Sequence, residues 1–245
     1  MIKKDFVISE VLKLSFQFVS TSLMARIKDG FPIVILITIA FNGLNFLISN
    51  SLASNFTILL FVLFSMLLTS CIGISVHKEV IANFKQNFLG NFLSVTNFKY
   101  FFNILFITLI AISPLLLHFF FKIFGKVNFF GFNISYLFVL WILTCVFALK
   151  LIFILPKIAL DKKFSYSAEE LNNFGFKLFI IFVIVTVVFF IPSIFILSFQ
   201  ISLLNNNSQF YLIVKPMFDF ISFYISYLNY LVIFAAISYA YKKTN

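Results

Sequence analysis

The side chains in this chain best able to bind a metal or act as nucleophiles are His77, His118, Cys71 and Cys145. The two histidines fall near opposite ends of different apolar runs, with no His, Cys or carboxylate at metal-ligand spacing beside them. They read as interfacial histidines. The cysteines lie inside apolar runs, where a disulfide framework is not expected, and read as small apolar fillers. No G-x-S-x-G elbow, H-E-x-x-H pair or phosphate-binding glycine loop occurs. No catalytic residue, cofactor or metal ligand is assigned, and the expectation is a non-enzymatic protein.

Two further sets of polar residues remain. Asn42, Asn45, Asn103, Gln200 and Asn229 are uncharged amides within apolar runs, candidates for interhelical hydrogen bonds or for lining a path. Pro114 and Pro192 are candidate kinks, because proline removes a backbone donor and its ring displaces the preceding turn. Lys215 and Asp219 bring opposite charges near a run at a spacing of four. Pro216 between them suits the first turn of a helix, which puts Asp219 at the outer interface beside free helix-end amides.

The elements that must position these residues are helices in lipid. Of the 245 residues 62% are hydrophobic and 11% charged, against about 45–50% and 25% in soluble domains. The apolar residues come in continuous blocks about as long as a hydrocarbon core is thick, whereas barrel strands alternate. Spans are expected at about 31–49, 56–76, 100–121, 129–149, 178–203 and 217–241. The fold class is therefore all-α, a single polytopic bundle of six spans in three hairpins.

Lys and Arg placement orients it. Of the 18 basic residues, only Lys122, Lys126 and Lys215 fall on one side; all others fall on the opposite side. Cytoplasmic segments carry such an excess, so both termini are expected in the cytoplasm. The formal charge of +10 is distributed between spans rather than concentrated in a basic domain, which argues against nucleic acid. The first 30 residues are interrupted by charges such as Glu10, Lys13 and Arg26, and no cleaved signal peptide is expected.

Each hairpin is preceded by a polar-faced segment. Val7, Val11, Leu14 and Phe18 share one helical face and Asp5, Ser9, Lys13 and Gln17 another, which predicts an interfacial helix. Lys78 to Lys99 mixes Val80, Phe84, Phe88 and Phe92 with Lys85, Gln86 and Asn87, with a break expected at Gly90. Ser167 to Glu170 matches a helix-start capping box. A shift of 78 positions pairs Lys99 with Lys177 and Pro114 with Pro192; whether the three hairpins are repeats stays open.

The stretches FVISEVLKLSFQF, NFLSVTNFKYFFNILFITL and LIFILPKIALDKKFSYSAEELNNFGFKLF resemble an uncharacterised family of bacterial six-span membrane proteins. That family is similar to the membrane domain found beside some glycerophosphodiester phosphodiesterases. The resemblance rests chiefly on Leu155, Pro156, Ala159 and Asp161; Asn173, Phe174 and Lys177 stand where the family more often has Trp, Arg and Gly. It implies a bacterial cytoplasmic membrane and carries no catalytic residue. The expected partners are membrane lipids, anionic ones included, or an unknown membrane protein. The alternative function is a permease for a small apolar or zwitterionic molecule.

Overall fold

The computed structural model describes residues 5–52, 54–121, 126–129, 132–162 and 174–244. Six helical runs in it are long and apolar enough to cross a bilayer. The protein is a multi-pass membrane protein with an all-α bundle. Helices are what such a sequence must form in lipid, because only a helix or a closed barrel satisfies every backbone donor and acceptor where no water competes.

A short helix α1 (Ile8–Ser20) leads into the long helices α2 (Leu23–Ser49) and α3 (Asn55–Ala82). A 3₁₀ turn at Phe88–Asn91 precedes α4 (Val95–Phe121). Strands β1 (Lys126–Phe129) and β2 (Phe132–Ser135) form an antiparallel hairpin with Lys126 opposite Ser135. Then come α5 (Tyr136–Lys150), the short α6 (Ile154–Ala159), α7 (Phe174–Asn206) and α8 (Ser208–Thr244).

Local chemistry sets several of the ends. Ser54 starts α3 with a reciprocal cap, its hydroxyl accepting from the Thr57 amide at 3.2 Å while Thr57 Oγ1 accepts from the Ser54 amide. At the other end Asn83 adopts φ 53°, the left-handed conformation that asparagine tolerates and that stops a helix. The helix at Lys78 therefore belongs to α3, and the chain breaks at Asn83 rather than at Gly90 as expected. The fourth span also starts later than the sequence suggested. Residues 129 and 132–135 are strand, so the helical run is Leu137–Ala159, continued from α5 through a turn into α6.

Prolines sit inside four of the long helices without ending them. Pro114 cannot donate to the Ile110 carbonyl one turn back, and the Ser113 hydroxyl donates to that oxygen instead at 2.8 Å. Thr144 of α5 donates to the adjacent Ala111 carbonyl at 3.3 Å, tying α4 to α5 at the same place. In α7 the Ser193 hydroxyl beside Pro192 donates to Phe189 O at 3.0 Å.

Helix α8 is the hub, in contact with α1, α2, α3 and α7, and the chain of neighbours α8, α3, α4, α5, α7 closes back on α8. The core occupies one half of this bundle. Helix α3 is buried only from Leu68 onward, α7 only as far as Val185, and α8 only from Tyr227 onward. Helix α6 is buried along its whole length among α3, α4 and α8. That half ends where α1 begins, α3 and α8 finish and the Lys and Arg residues gather; it is called the basic end below. The opposite halves of the spans expose apolar side chains such as Phe46, Phe195 and Leu197, as a lipid-facing surface does.

Candidate functional site at the basic end

Helix α1 is held onto the bundle rather than left free. Val11, Ser15 and Val19 are buried, and Ile8, Leu12 and Phe16 pack against the core. The expected apolar face was rotated from this one, since Val7 is exposed. Ser15 is tolerated in the stripe because its hydroxyl donates to Val11 O at 2.6 Å. Ion pairs secure α1 at its start. Asp5 accepts from Lys177 of α7, and Glu10 pairs with Lys243 of α8 at 2.6 Å. Phe6 stacks on Phe174 at 5.5 Å between ring centroids. The Asp5 carboxyl is held below its usual range by the Lys177 hydrogen bond, with burial opposing.

Where α1 turns into α2, Arg26 reaches across to α3. Its two terminal nitrogens donate to the two oxygens of Glu79 at 2.6 and 2.7 Å, a two-pronged geometry that a lysine cannot reproduce. The guanidinium also lies 4.0 Å from the centroid of the Phe18 ring in α1. One residue thereby joins three helices. Its own carbonyl accepts from the Tyr227 hydroxyl of α8 at 2.9 Å. The Tyr227 ring fits against Gly30, one turn further along α2, where a Cβ would stand 2.3 Å from ring carbons.

A second tyrosine repeats that arrangement deeper in the core. The Tyr100 ring of α4 covers Gly73 of α3, and a Cβ there would lie 2.3 Å from the hydroxyl oxygen. One turn on, His77 Nε2 meets the Tyr100 hydroxyl at 2.7 Å and Nδ1 meets Ser238 Oγ of α8 at 2.6 Å. Ser238 spends its own proton on Phe234 O at 2.7 Å. His77 therefore donates from Nδ1 to Ser238 and accepts the Tyr100 proton at Nε2, as a neutral imidazole with both nitrogens satisfied. All three side chains are fully buried, so His77 is a core residue and not the interfacial histidine expected from its position. Next to it Asn97 accepts from Ser70 at 2.5 Å and donates to Phe92 O at 2.9 Å.

Above this layer, between α1, α2, α3 and α8, lies an open cavity of about 680 Å³. Arg26, Lys85 and Lys242 supply positive charge to its wall and Glu79 negative charge, with Gln17 and Thr21 among the polar neighbours. Lys85 also pairs with Asp29 at 3.0 Å. A second hollow of about 560 Å³ lies between α2 and α3 toward the other end, lined by residues such as Leu44, Phe61 and Phe64 beside Gly43. It is apolar, and the two therefore suit different chemistry.

The sequence-derived amides do not gather at either place. Asn42 donates to Thr38 O at 2.9 Å and Asn103 to Lys99 O at 2.8 Å, each within its own helix. Asn45 and Gln200 are half-buried on α2 and α7. Asn229 is half-buried on α8, its Oδ1 enclosed without a hydrogen-bond partner among the described residues. Lys215 and Asp219 depart from expectation. Helix α8 begins at Ser208 and runs through Pro216, so the two do share a face and pair at 2.8 Å, with Lys215 5.4 Å from the centroid of the Phe41 ring. Cys71 is buried and Cys145 half-buried, both as free thiols. The capping box at 167–170 lies outside the described residues.

Sequence reasoning passed over Arg26, Glu79, Tyr100 and Ser238. One signal was available: Arg26 is the only arginine among 18 basic residues. A chain that otherwise uses lysine throughout has a reason to use a fork-shaped cation once. Gly73 and Gly30, each one turn from a partner of a tyrosine hydroxyl, carry no such mark until the helices are placed together. Among the described residues, no three metal-binding side chains come together. Compared with protein-family models, curated proteins and solved structures, the chain has no match.

Proposed function

We propose that this is a non-enzymatic protein of a bacterial cytoplasmic membrane, with both termini in the cytoplasm, which organises anionic lipid at its basic end. The observation that carries the reading is the division of labour along the bundle. The buried core, the clasped helix α1 and the cationic cavity share one end, while the other half of the spans offers lipid-facing apolar surface. Excess Lys and Arg at that end fits a cytoplasmic leaflet rich in anionic headgroups, each such cation near the surface adding about 1 kcal/mol of attraction. Asn42 and Asn103 spend their amides on their own helices, which supports this reading over a path through the bundle. The resemblance to bacterial six-span membrane proteins is compatible with it and assigns no reaction.

Extraction into native lipid discs followed by mass spectrometry of the copurified molecules tests the proposal. Enrichment of anionic phospholipid over the bulk membrane is the expected result. A lipid composition equal to the bulk, with a stoichiometric protein partner in its place, would replace lipid organisation by protein scaffolding.

A further inference from the structure

The cavity at the basic end has more donors than acceptors. Arg26 lines it and is only 4% exposed. Both terminal nitrogens of Arg26 are taken by Glu79, and its enclosed Nε–H has no hydrogen-bond partner among the described residues. The Lys242 ammonium, with three protons to give, reaches the Val80 carbonyl at 3.4 Å. Lys85 adds a third cation from the segment after α3. Helix α2 starts at the same wall: Ser22 gives no side-chain cap, so the first-turn amides contribute partial positive charge. Against these stand the Glu79 carboxylate, already engaged in the fork, and Asp29, which pairs with Lys85 at 3.0 Å and leaves that ammonium protons to spare. The wall therefore selects an anion with several acceptor oxygens.

What surrounds the cavity says where that anion comes from. Leu23 and Met24 follow directly on Ser22, and Phe84 lies between Asn83 and Lys85; the three are 42%, 74% and 57% exposed. Apolar side chains beside cationic donors at the end of spanning helices match the level where a phospholipid carries its phosphate above its acyl chains. A soluble anion would gain nothing from such a rim.

We infer that the cavity holds the phosphate of an anionic phospholipid headgroup, with Lys85 Nζ and Lys242 Nζ as its donors and the Arg26 guanidinium behind them as a fixed positive charge. This rests on the lipid-organising reading above and deepens it by naming the site. Glu79 fixes the guanidinium by its terminal nitrogens and turns a phosphate away from them, so Arg26 acts on the ligand through its charge.

The test uses the full-length protein in phosphatidylcholine discs containing graded phosphatidylglycerol, with retained lipid counted by native mass spectrometry. The wild-type protein should keep phosphatidylglycerol through delipidation, and Lys85→Gln and Lys242→Gln should each weaken retention about fivefold. Arg26→Met, which removes that charge, should also weaken it; the two lysine variants decide the matter if Arg26→Met fails to fold. Millimolar inorganic phosphate should not displace the lipid, and full displacement would make soluble phosphate the ligand and overturn the assignment. Equal retention by all variants would refute this site while leaving the lipid-organising reading intact. No retention by the wild-type protein would refute both.

Discussion

The His77 imidazole and the Tyr100 hydroxyl meet at 2.7 Å over a glycine, Gly73, that leaves room for the tyrosine ring. The contact joins α3 to α4, and Ser238 on the other nitrogen joins both to α8. Gly73→Ala should therefore lower stability by about 1–3 kcal/mol, the usual cost of overpacking a filled core. Tyr100→Phe should cost a similar amount by leaving His77 Nε2 buried without a proton to accept. Thermal unfolding in a neutral detergent measures both. A neutral Gly73→Ala would mean that Tyr100 does not occupy the notch.

The pair of Arg26 and Glu79 makes a different prediction. Removing one partner strands a charge at a nearly buried position, which costs about 3–5 kcal/mol when burial is complete. Glu79 retains 23% side-chain exposure, so Arg26→Met should fall at or below the lower end of that range. The double variant Arg26→Met with Glu79→Leu should recover much of the loss. A double-mutant cycle gives the coupling directly, and additive losses would contradict the pairing.

Lys215 and Asp219 should behave as one unit. They are 28% and 12% exposed at the side chain and sit on a helix whose neighbouring surface is apolar. Asp219→Asn leaves a lysine in surroundings that charge its isolation heavily, so expression and melting temperature should both fall. Lys215→Met with Asp219→Leu should restore them. If Asp219→Asn alone were harmless, the pair would lie in water.

The clasp on α1 should depend weakly on pH. The folded-state pKa of Asp5 is lowered by Lys177, so its contribution is present above the unfolded value of about 3.9 and lost as pH falls through the folded value. Asp5 is more than half exposed, so about 0.2–1 kcal/mol is the scale. Amide hydrogen exchange should show α1 equally protected from pH 7 to 5 and less so in acid. Asp5→Asn should remove that acid sensitivity, and an unchanged profile would show that Asp5 does not hold the helix.

Much of the fold was legible because its cause is one-dimensional. Continuous apolar runs dictate helices in lipid, and six long apolar helices stand where six runs were expected. What escaped depends on partners far apart in sequence. The stripe on α1 was rotated because Ser15 hides a hydroxyl against its own backbone and so takes an apolar place. Pro216 was read as a helix start, yet α8 continues eight residues before it. His77 was assigned to an interface because its burial is decided by Tyr100 and Ser238, which no local pattern connects to it.

The proposed topology sets the basic end, with its cavity and α1, against the cytoplasmic leaflet. Single cysteines placed in a cysteine-free background and labelled in intact cells by a membrane-impermeant maleimide test it most directly. Substitutions at Ser54, Lys126 and Asn206 should label from outside, and those at Lys85 and Glu169 should label only after the membrane is opened. Labelling of position 85 or 169 in intact cells would overturn that topology.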